Sequence, residues 1–181
     1  MGMLTGSEIL KQQELGRLSI SDFDITRLNP NSYNVRLDNV LLCYAPDTTG
    51  KILLDPKYNN AVNKHVIPET GMILYPGTLY LGSTIESTHS DHYVACIDGR
   101  SSIARLGLKI HETAGFGDIG FNGKWTLEIT VTHPIKVYPG MEIGQVYFTE
   151  PVGDTDIKYT GKYQNASSVI KSKMYVDKSW E

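Results

Sequence analysis

Apolar and polar residues alternate strictly along residues 124–131. Trp125, Leu127, Ile129 and Val131 fall on one face, and Lys124, Thr126, Glu128 and Thr130 on the other. A period of two marks a strand buried on one side. Tyr33-Asn34-Val35-Arg36-Leu37 alternates in the same way, with Tyr33, Val35 and Leu37 together and Asn34 and Arg36 opposite. Short apolar runs at 18–20, 40–44, 71–75, 79–84, 93–97, 135–137 and 145–148 complete the predicted strands. Asn29-Pro30-Asn31-Ser32, Pro76-Gly77 and Pro139-Gly140 are turn chemistry between them. Residues 46–50 and 56–63 read as loops. One helix is expected from about residue 5, with Ser7 as a cap, Ile9 and Leu10 facing inward, and Gly16 at its end. A single helical turn is expected over residues 101–106. Many short strands with Gly and Pro between them predict an all-β barrel or sandwich with few helices.

Composition narrows the function classes. The chain has 181 residues and net charge −3, enough for one domain with its own core, and no repeat or internal linker divides it. The acidic balance argues against a nucleic-acid surface, which shows as a basic excess. A local basic pocket for one small anion is compatible with it. No apolar run is long enough to span a membrane. Residues 1–10 lack a basic region followed by an apolar run, so no signal peptide is expected. Cys43 and Cys96 stand apart and match no metal or redox motif. Two isolated thiols fit a reducing cytoplasm. The segment 153–181 is polar with scattered Tyr and Lys. It is read as a C-terminal tail, either floppy or ordered over a ligand.

Candidate chemistry concentrates in residues 97–148. In Gly99-Arg100-Ser101-Ser102-Ile103-Ala104-Arg105, Gly99 is expected to turn the backbone sharply after a strand. Ser101 and Ser102 stand where a helical turn begins and can direct N–H groups and hydroxyls at one anion. Arg100 and Arg105 bring permanently charged planar forks suited to phosphate oxygens. Ile103 and Leu106 are expected to anchor the other side of this turn. The bland reading is a surface turn whose arginines pair with nearby acids. Glu128, on the polar strand face, is either a solvated carboxylate or a general base. Asp118, between Gly117 and Gly120, either bonds its own turn or accepts from a ligand hydroxyl. His89 and His92 are three apart without a third ligand, and His65, His111 and His133 are isolated, so no zinc site is expected. The His-x-Glu and Pro-Cys-x-x-Cys signature of zinc nucleobase deaminases is missing.

Taken together, these segments resemble the deoxycytidine triphosphate deaminases, which share a fold with the trimeric deoxyuridine triphosphatases. The resemblance runs over nearly the whole chain. It rests on residues 29–37, on Gly99-Arg100-Ser101-Ser102-Ile103-Ala104-Arg105 with the following Leu106-Gly107-Leu108, on Thr126-Leu127-Glu128, on Pro139-Gly140-Met141, and on Tyr159-Thr160-Gly161-Lys162-Tyr163. It implies a distorted β-barrel of the deoxyuridine triphosphatase type and a homotrimer with active sites between subunits. It also implies deamination without zinc, with magnesium bridging the triphosphate. By the same resemblance, Glu128 shuttles the proton of the water that attacks C4 of cytosine, and Ser101 and the Ala114 carbonyl place that water. Arg105 holds the site's geometry, and Arg100 and Ser102 bind the triphosphate. Ile103, Ala104, Thr126 and Leu127 belong to the nucleotide-binding segments. Asp118 accepts from the 3′-hydroxyl, Phe121 packs against the sugar, and Tyr159 and Lys162 close over the nucleotide.

Within the family, members that release dUTP carry His-Arg after the Thr-Ala of the loop. Bifunctional members, which continue to dUMP and pyrophosphate, carry Gly and an aromatic. Thr113-Ala114-Gly115-Phe116 and Gln145 therefore resemble the bifunctional type. The rival readings are a pyrophosphatase acting on dUTP alone, a deaminase that releases dUTP, and a non-catalytic nucleotide sensor. The chain departs from the family at three positions. Gly117 stands for an aliphatic residue and Ile119 for Pro or Ala, which is expected to loosen the loop. Ala166 stands where a Gln usually follows Lys162 by four residues, while Gln164 lies two residues earlier.

Overall fold

The computed structural model describes residues 2–177, and in them the alternating segments fold as antiparallel strands. The order is α1 (Gly6–Glu14), β1 (Leu18–Ile20), β2 (Tyr33–Arg36), β3 (Val40–Tyr44), β4 (Val62–Val66), β5 (Met72–Leu74), β6 (Tyr80–Ser90) and β7 (Val94–Gly99). It continues with α2 (Ser101–Ala104), β8 (Leu108–Lys109), β9 (Phe116–Gly117), β10 (Asn122–Val131), β11 (Ile135–Val137) and β12 (Glu142–Thr149). One sheet runs β4-β3-β6-β10-β8, with β1 also on β6; a second runs β2-β12-β7-β9; β5 and β11 pair alone. The protein is mainly β, as the periodicity implies. β4, β8 and β9 fall where no strand is expected, because β4 is an exposed edge and the other two are too short to show a period.

The core joins both sheets. Leu127 and Ile129 of β10, Tyr33 and Val35 of β2, and Val146 and Phe148 of β12 are fully buried in one cluster. Residues 124, 126, 128 and 130 keep the opposite, partly open face of β10. The helix cap is Thr5, not Ser7: the Thr5 hydroxyl accepts from the Glu8 amide, while Ile9 is buried as expected and Leu10 is only half-buried.

Between Lys124 and Thr126 the pairing of β10 with β6 slips, so that Lys124 faces Ser87 and Thr126 faces Ser83. The extra residues of β6 form a bulge, and the Thr84 hydroxyl accepts the Trp125 amide there at 2.9 Å. Glu86 lies in this bulge, fully buried. It is held by Arg27, by the Arg36 side chain at 2.7 Å and by the Arg36 amide at 2.8 Å. A buried carboxylate is tolerable only when paired in this way. No sequence pattern announces this network, since its members are distant in the chain.

Candidate functional site

A cavity of about 630 Å³ opens on the polar face of β10. Lys124, Thr126 and Glu128 form its floor, and the loop through Ala114, Phe116 and Asp118 forms one wall. The alternation of β10 turns Lys124, Thr126 and Glu128 toward the cavity, and the core residue Trp125 also reaches its wall. Leu127, assigned to the nucleotide with its neighbours, is fully buried in the core and does not line the cavity.

Glu128 is held by main-chain pairing across to β8. Thr130 and Val131 pair with Lys109 and Leu108, and the Glu128 amide donates to the Ile110 carbonyl at 2.8 Å. This zipper brings the Glu112 amide to 3.1 Å from Glu128 Oε2. The Glu112 carboxylate in turn accepts from the Thr130 hydroxyl at 2.7 Å. Glu128 therefore lines the cavity with one carboxylate oxygen held by a main-chain amide.

The loop that carries Ala114 and Phe116 is fastened at both ends. The Ile97 amide donates to the Gly115 carbonyl at 2.7 Å, and Gly117 pairs with Ala95 of β7. Gly115 cannot carry a side chain in this conformation, because a Cβ would lie 2.6 Å from the Ile97 carbonyl oxygen. At Gly117 the missing side chain is replaced by the Trp125 ring, whose Cη2 would lie 2.6 Å from a Cβ. The loop is thus filled at this point rather than loosened. Asp118 is exposed on the cavity wall, and its carboxylate makes no hydrogen bond among the described residues. It does not cap its own turn, so it is free to accept from a ligand.

Residues 159–172 close the remaining side. The Tyr159 amide donates to the Ile119 carbonyl at 2.7 Å, the Lys124 amide to Ala166 at 2.8 Å, and the Ile170 amide to the Thr126 hydroxyl at 3.1 Å. Tyr159 meets Phe121 edge to face at 5.9 Å, and both line the cavity. These contacts set residues 159–172 against the cavity without deciding between the two readings of the tail. Gln164 is engaged by main chain: it accepts from the Asn122 amide at 2.8 Å and donates to the Gly120 carbonyl at 2.7 Å. Ala166 is buried, lines the cavity and bridges to Gly123 of β10. Lys162 does not face the cavity and pairs with Asp177. Tail residues 178–181 lie outside the described residues.

The arginine-serine turn is elsewhere. Arg100, Ser101, Ser102, Ile103, Ala104, Arg105 and Gln145 do not line the cavity. Arg100 lies 2.8 Å from Glu142 Oε2, and Gln145 donates to the Gly99 carbonyl at 3.2 Å and accepts from the Ser32 hydroxyl at 2.9 Å. The bland expectation holds for Arg100 alone. Arg105, Ser101 and Ser102 are exposed, and their side chains have no partner among the described residues. Two details of the expected turn are corrected. Gly99 is an ordinary strand residue paired with Gly144, and the left-handed turn comes at Gly107, with φ +82°. Ile103 packs on the core, but Leu106 is exposed because α2 ends before it.

Several cavity residues lie outside the expected set, among them Tyr44, Glu112, Lys124 and Tyr163. Lys124 was legible as a member of the polar face of β10; the other three are brought in by tertiary contacts. Among the described lining residues, Glu112, Asp118 and Glu128 are acidic and Lys124 is the one cation. Its ammonium lies 2.7 Å from Asp38 Oδ2, so it is already paired. Among the described residues no group of three His, Cys, Asp or Glu is placed to hold a metal ion. No helix among them is long and apolar enough to cross a membrane.

A family model described as dCTP deaminase-like matches residues 3–150. The dCTP deaminase, dUMP-forming, of Clostridium botulinum (strain Alaska E43) is 50% identical over 176 residues, covering 97% of this chain and 98% of its own length. The protein of the same name from Cytophaga hutchinsonii is 48% identical over the same span. Among solved structures, the 2′-deoxycytidine 5′-triphosphate deaminase from Agrobacterium tumefaciens superposes with a TM-score of 0.63 at 22% identity over 83% of this chain. This chain spans about half of that solved chain, 48%, and the likeness is one of fold.

Proposed function

The chain belongs to the dCTP deaminase-like family, and we propose that it is an enzyme that hydrolyses the 4-amino group of dCTP and cleaves the triphosphate, giving dUMP, pyrophosphate and ammonia. The name shared by relatives near 50% identity over almost the full length supports the dUMP-forming reading. The observation that carries it here is the placement of Glu128, an aimed carboxylate on the floor of a cavity of nucleoside size. No observation favours a pyrophosphatase for dUTP alone, a dUTP-releasing enzyme or a sensor.

In this reading the base enters the cavity toward Glu128. Glu128 takes a proton from water as its oxygen bonds to C4, then returns it to the departing nitrogen as the C–N bond breaks. The Ala114 carbonyl orients the water. Asp118 accepts from the 3′-hydroxyl, and Phe121 with Tyr159 encloses the sugar. The cavity has a net acidic lining and no unpaired cation among its described residues, so it cannot hold a triphosphate unaided. Arg105, Ser101 and Ser102 are exposed and unpartnered, which suits donors offered to a neighbouring copy. We therefore assign the phosphate end to the Arg100–Arg105 turn of a second subunit, with Ser101 reaching the reacting water from there. The assembly proposed is a homotrimer. Magnesium would enter with the triphosphate, since Mg²⁺ keeps waters and binds through phosphates. When bound it screens phosphate charge, and no protein ligand is assigned to it. The proposed location is the cytoplasm, where Cys43 and Cys96 would stay reduced; both are free thiols.

The test is direct. The protein is incubated with dCTP and magnesium, and ammonia, dUTP, dUMP and pyrophosphate are measured together. Ammonia with equimolar pyrophosphate and dUMP is expected. No ammonia would reject the deaminase reading.

A further inference from the structure

Glu112 is a cavity residue that the proposed reaction does not use. It lines the cavity with Glu128, and its two ends do different things. Its amide holds Glu128 Oε2 at 3.1 Å. Its own carboxylate is held at 2.7 Å by the Thr130 hydroxyl. Thr130 follows Glu128 on the same strand face, roughly 7 Å along it, so this carboxylate is tied to the strand that carries Glu128. No Lys or Arg pairs with it among the described residues. The hydroxyl occupies Oε1, which leaves Oε2 able to accept from something in the cavity.

We infer that Glu112 is a specificity-determining residue, reading the exocyclic amino group of the pyrimidine through its Thr130-held carboxylate. The inference rests on the deaminase reading above and deepens it. An ionised carboxylate only accepts hydrogen bonds. The 4-amino group of cytosine offers two N–H donors, one for the Ala114 and Glu128 side of the cavity and one for Glu112. Uracil carries a carbonyl oxygen at the same place. Against Glu112 that oxygen meets a negative acceptor with no proton between them, and both groups lose water without gaining a partner. Glu112 thus favours entry of the amino base from solution over entry of the oxo base. Thr130 is a positioning residue, acting only through Glu112.

The experiment compares binding of α,β-imido-dCTP and α,β-imido-dUTP, whose triphosphates cannot be cleaved, by calorimetry with magnesium present. Every protein carries Glu128→Gln so that the cytosine analogue is not deaminated, and wild type here means residues 112 and 130 unchanged. The wild type is expected to favour the cytosine analogue. Glu112→Gln keeps the shape and the amide held on residue 128 but removes the charge and supplies a donor. It should lower the cytosine-over-uracil ratio by about 10- to 100-fold, the scale of a hydrogen bond to a charged group. Thr130→Val should lower the same ratio to a smaller extent, while Thr130→Ser retains it. A purely structural role for Glu112 would weaken both analogues together, so a ratio unchanged within about twofold in Glu112→Gln overturns the inference. Failure of the wild type to bind either analogue would instead overturn the deaminase reading on which it rests.

Discussion

The ring of Trp125 occupies the space that a side chain at Gly117 would need, with Cη2 2.6 Å from where a Cβ would sit. The two residues are partners across the cavity wall, one small because the other is large. An aliphatic residue is the common choice at position 117 in the family that this chain resembles, so the glycine is a departure with a visible compensation. Gly117→Val in the otherwise unchanged protein should cost about 1–3 kcal/mol, the usual cost of overpacking. Combined with Trp125→Val it should cost less than the sum of the two single changes. A double-mutant cycle by urea denaturation measures the coupling, and strict additivity would show that the ring does not fill this space.

Glu128→Gln should reduce ammonia release by about 100- to 10,000-fold while nucleotide binding persists, because the amide keeps the hydrogen bonds but cannot accept the proton. Arg105→Ala should also be nearly inactive, for loss of the phosphate end. If the site forms between copies, unfolding and refolding the two variants together should restore part of the activity, since some mixed assemblies contain an intact pair. Activity of the mixture no higher than the two variants measured apart would place Glu128 and Arg105 in the same subunit's site.

Product identity turns on Gly115 and Phe116. The wild type should convert dCTP to dUMP and pyrophosphate without accumulating dUTP, as read by anion-exchange chromatography through the time course. We attribute the second step to the apolar ring at 116, which leaves the cavity wall uncharged and admits a water near the α-phosphate oriented by Asp118; positioning of this kind is worth several kcal/mol. The structure limits how the loop can be probed. Gly115→His would drive a side chain into the Ile97 carbonyl, whereas Phe116 is 64% exposed and replaceable. Phe116→Arg should therefore shift the products toward dUTP with the loop intact. Stoichiometric dUTP from the wild type would refute the dUMP-forming assignment.

Deamination should survive a zinc-selective chelator, because among the described residues no three-ligand cluster exists to hold such an ion. Stripping magnesium should reduce turnover, chiefly by weakening triphosphate binding near the arginine turn. Loss of activity with the zinc chelator, restored by zinc alone, would overturn the general-base mechanism.

The sequence by itself determined the strands that carry the site. The alternation in residues 124–131 places Trp125, Leu127, Ile129 and Val131 inward, which obliges Thr126 and Glu128 to face outward together, whatever lies above them. It also marked the Pro-Gly turns and the single helical turn after Gly99, because these depend on local backbone chemistry. Short strands were not legible: β8 and β9 have two residues each and exist only because β10 and β7 pair with them. The same holds for the partner of Glu128. Nothing in the spacing of residues 112 and 128 says that one amide would hold the other's carboxylate, since that contact follows from the register of β8 on β10. The buried Arg27–Glu86–Arg36 cluster spans 59 residues and depends on a bulge in β6. The arginine turn shows the complementary limit. The residue types from Arg100 to Arg105 were plain, but only the fold decided that this turn and the Glu128 cavity occupy different parts of one chain. The reason is physical: local sequence sets which way a side chain points from its own strand, and strand pairing alone sets which other side chains it meets.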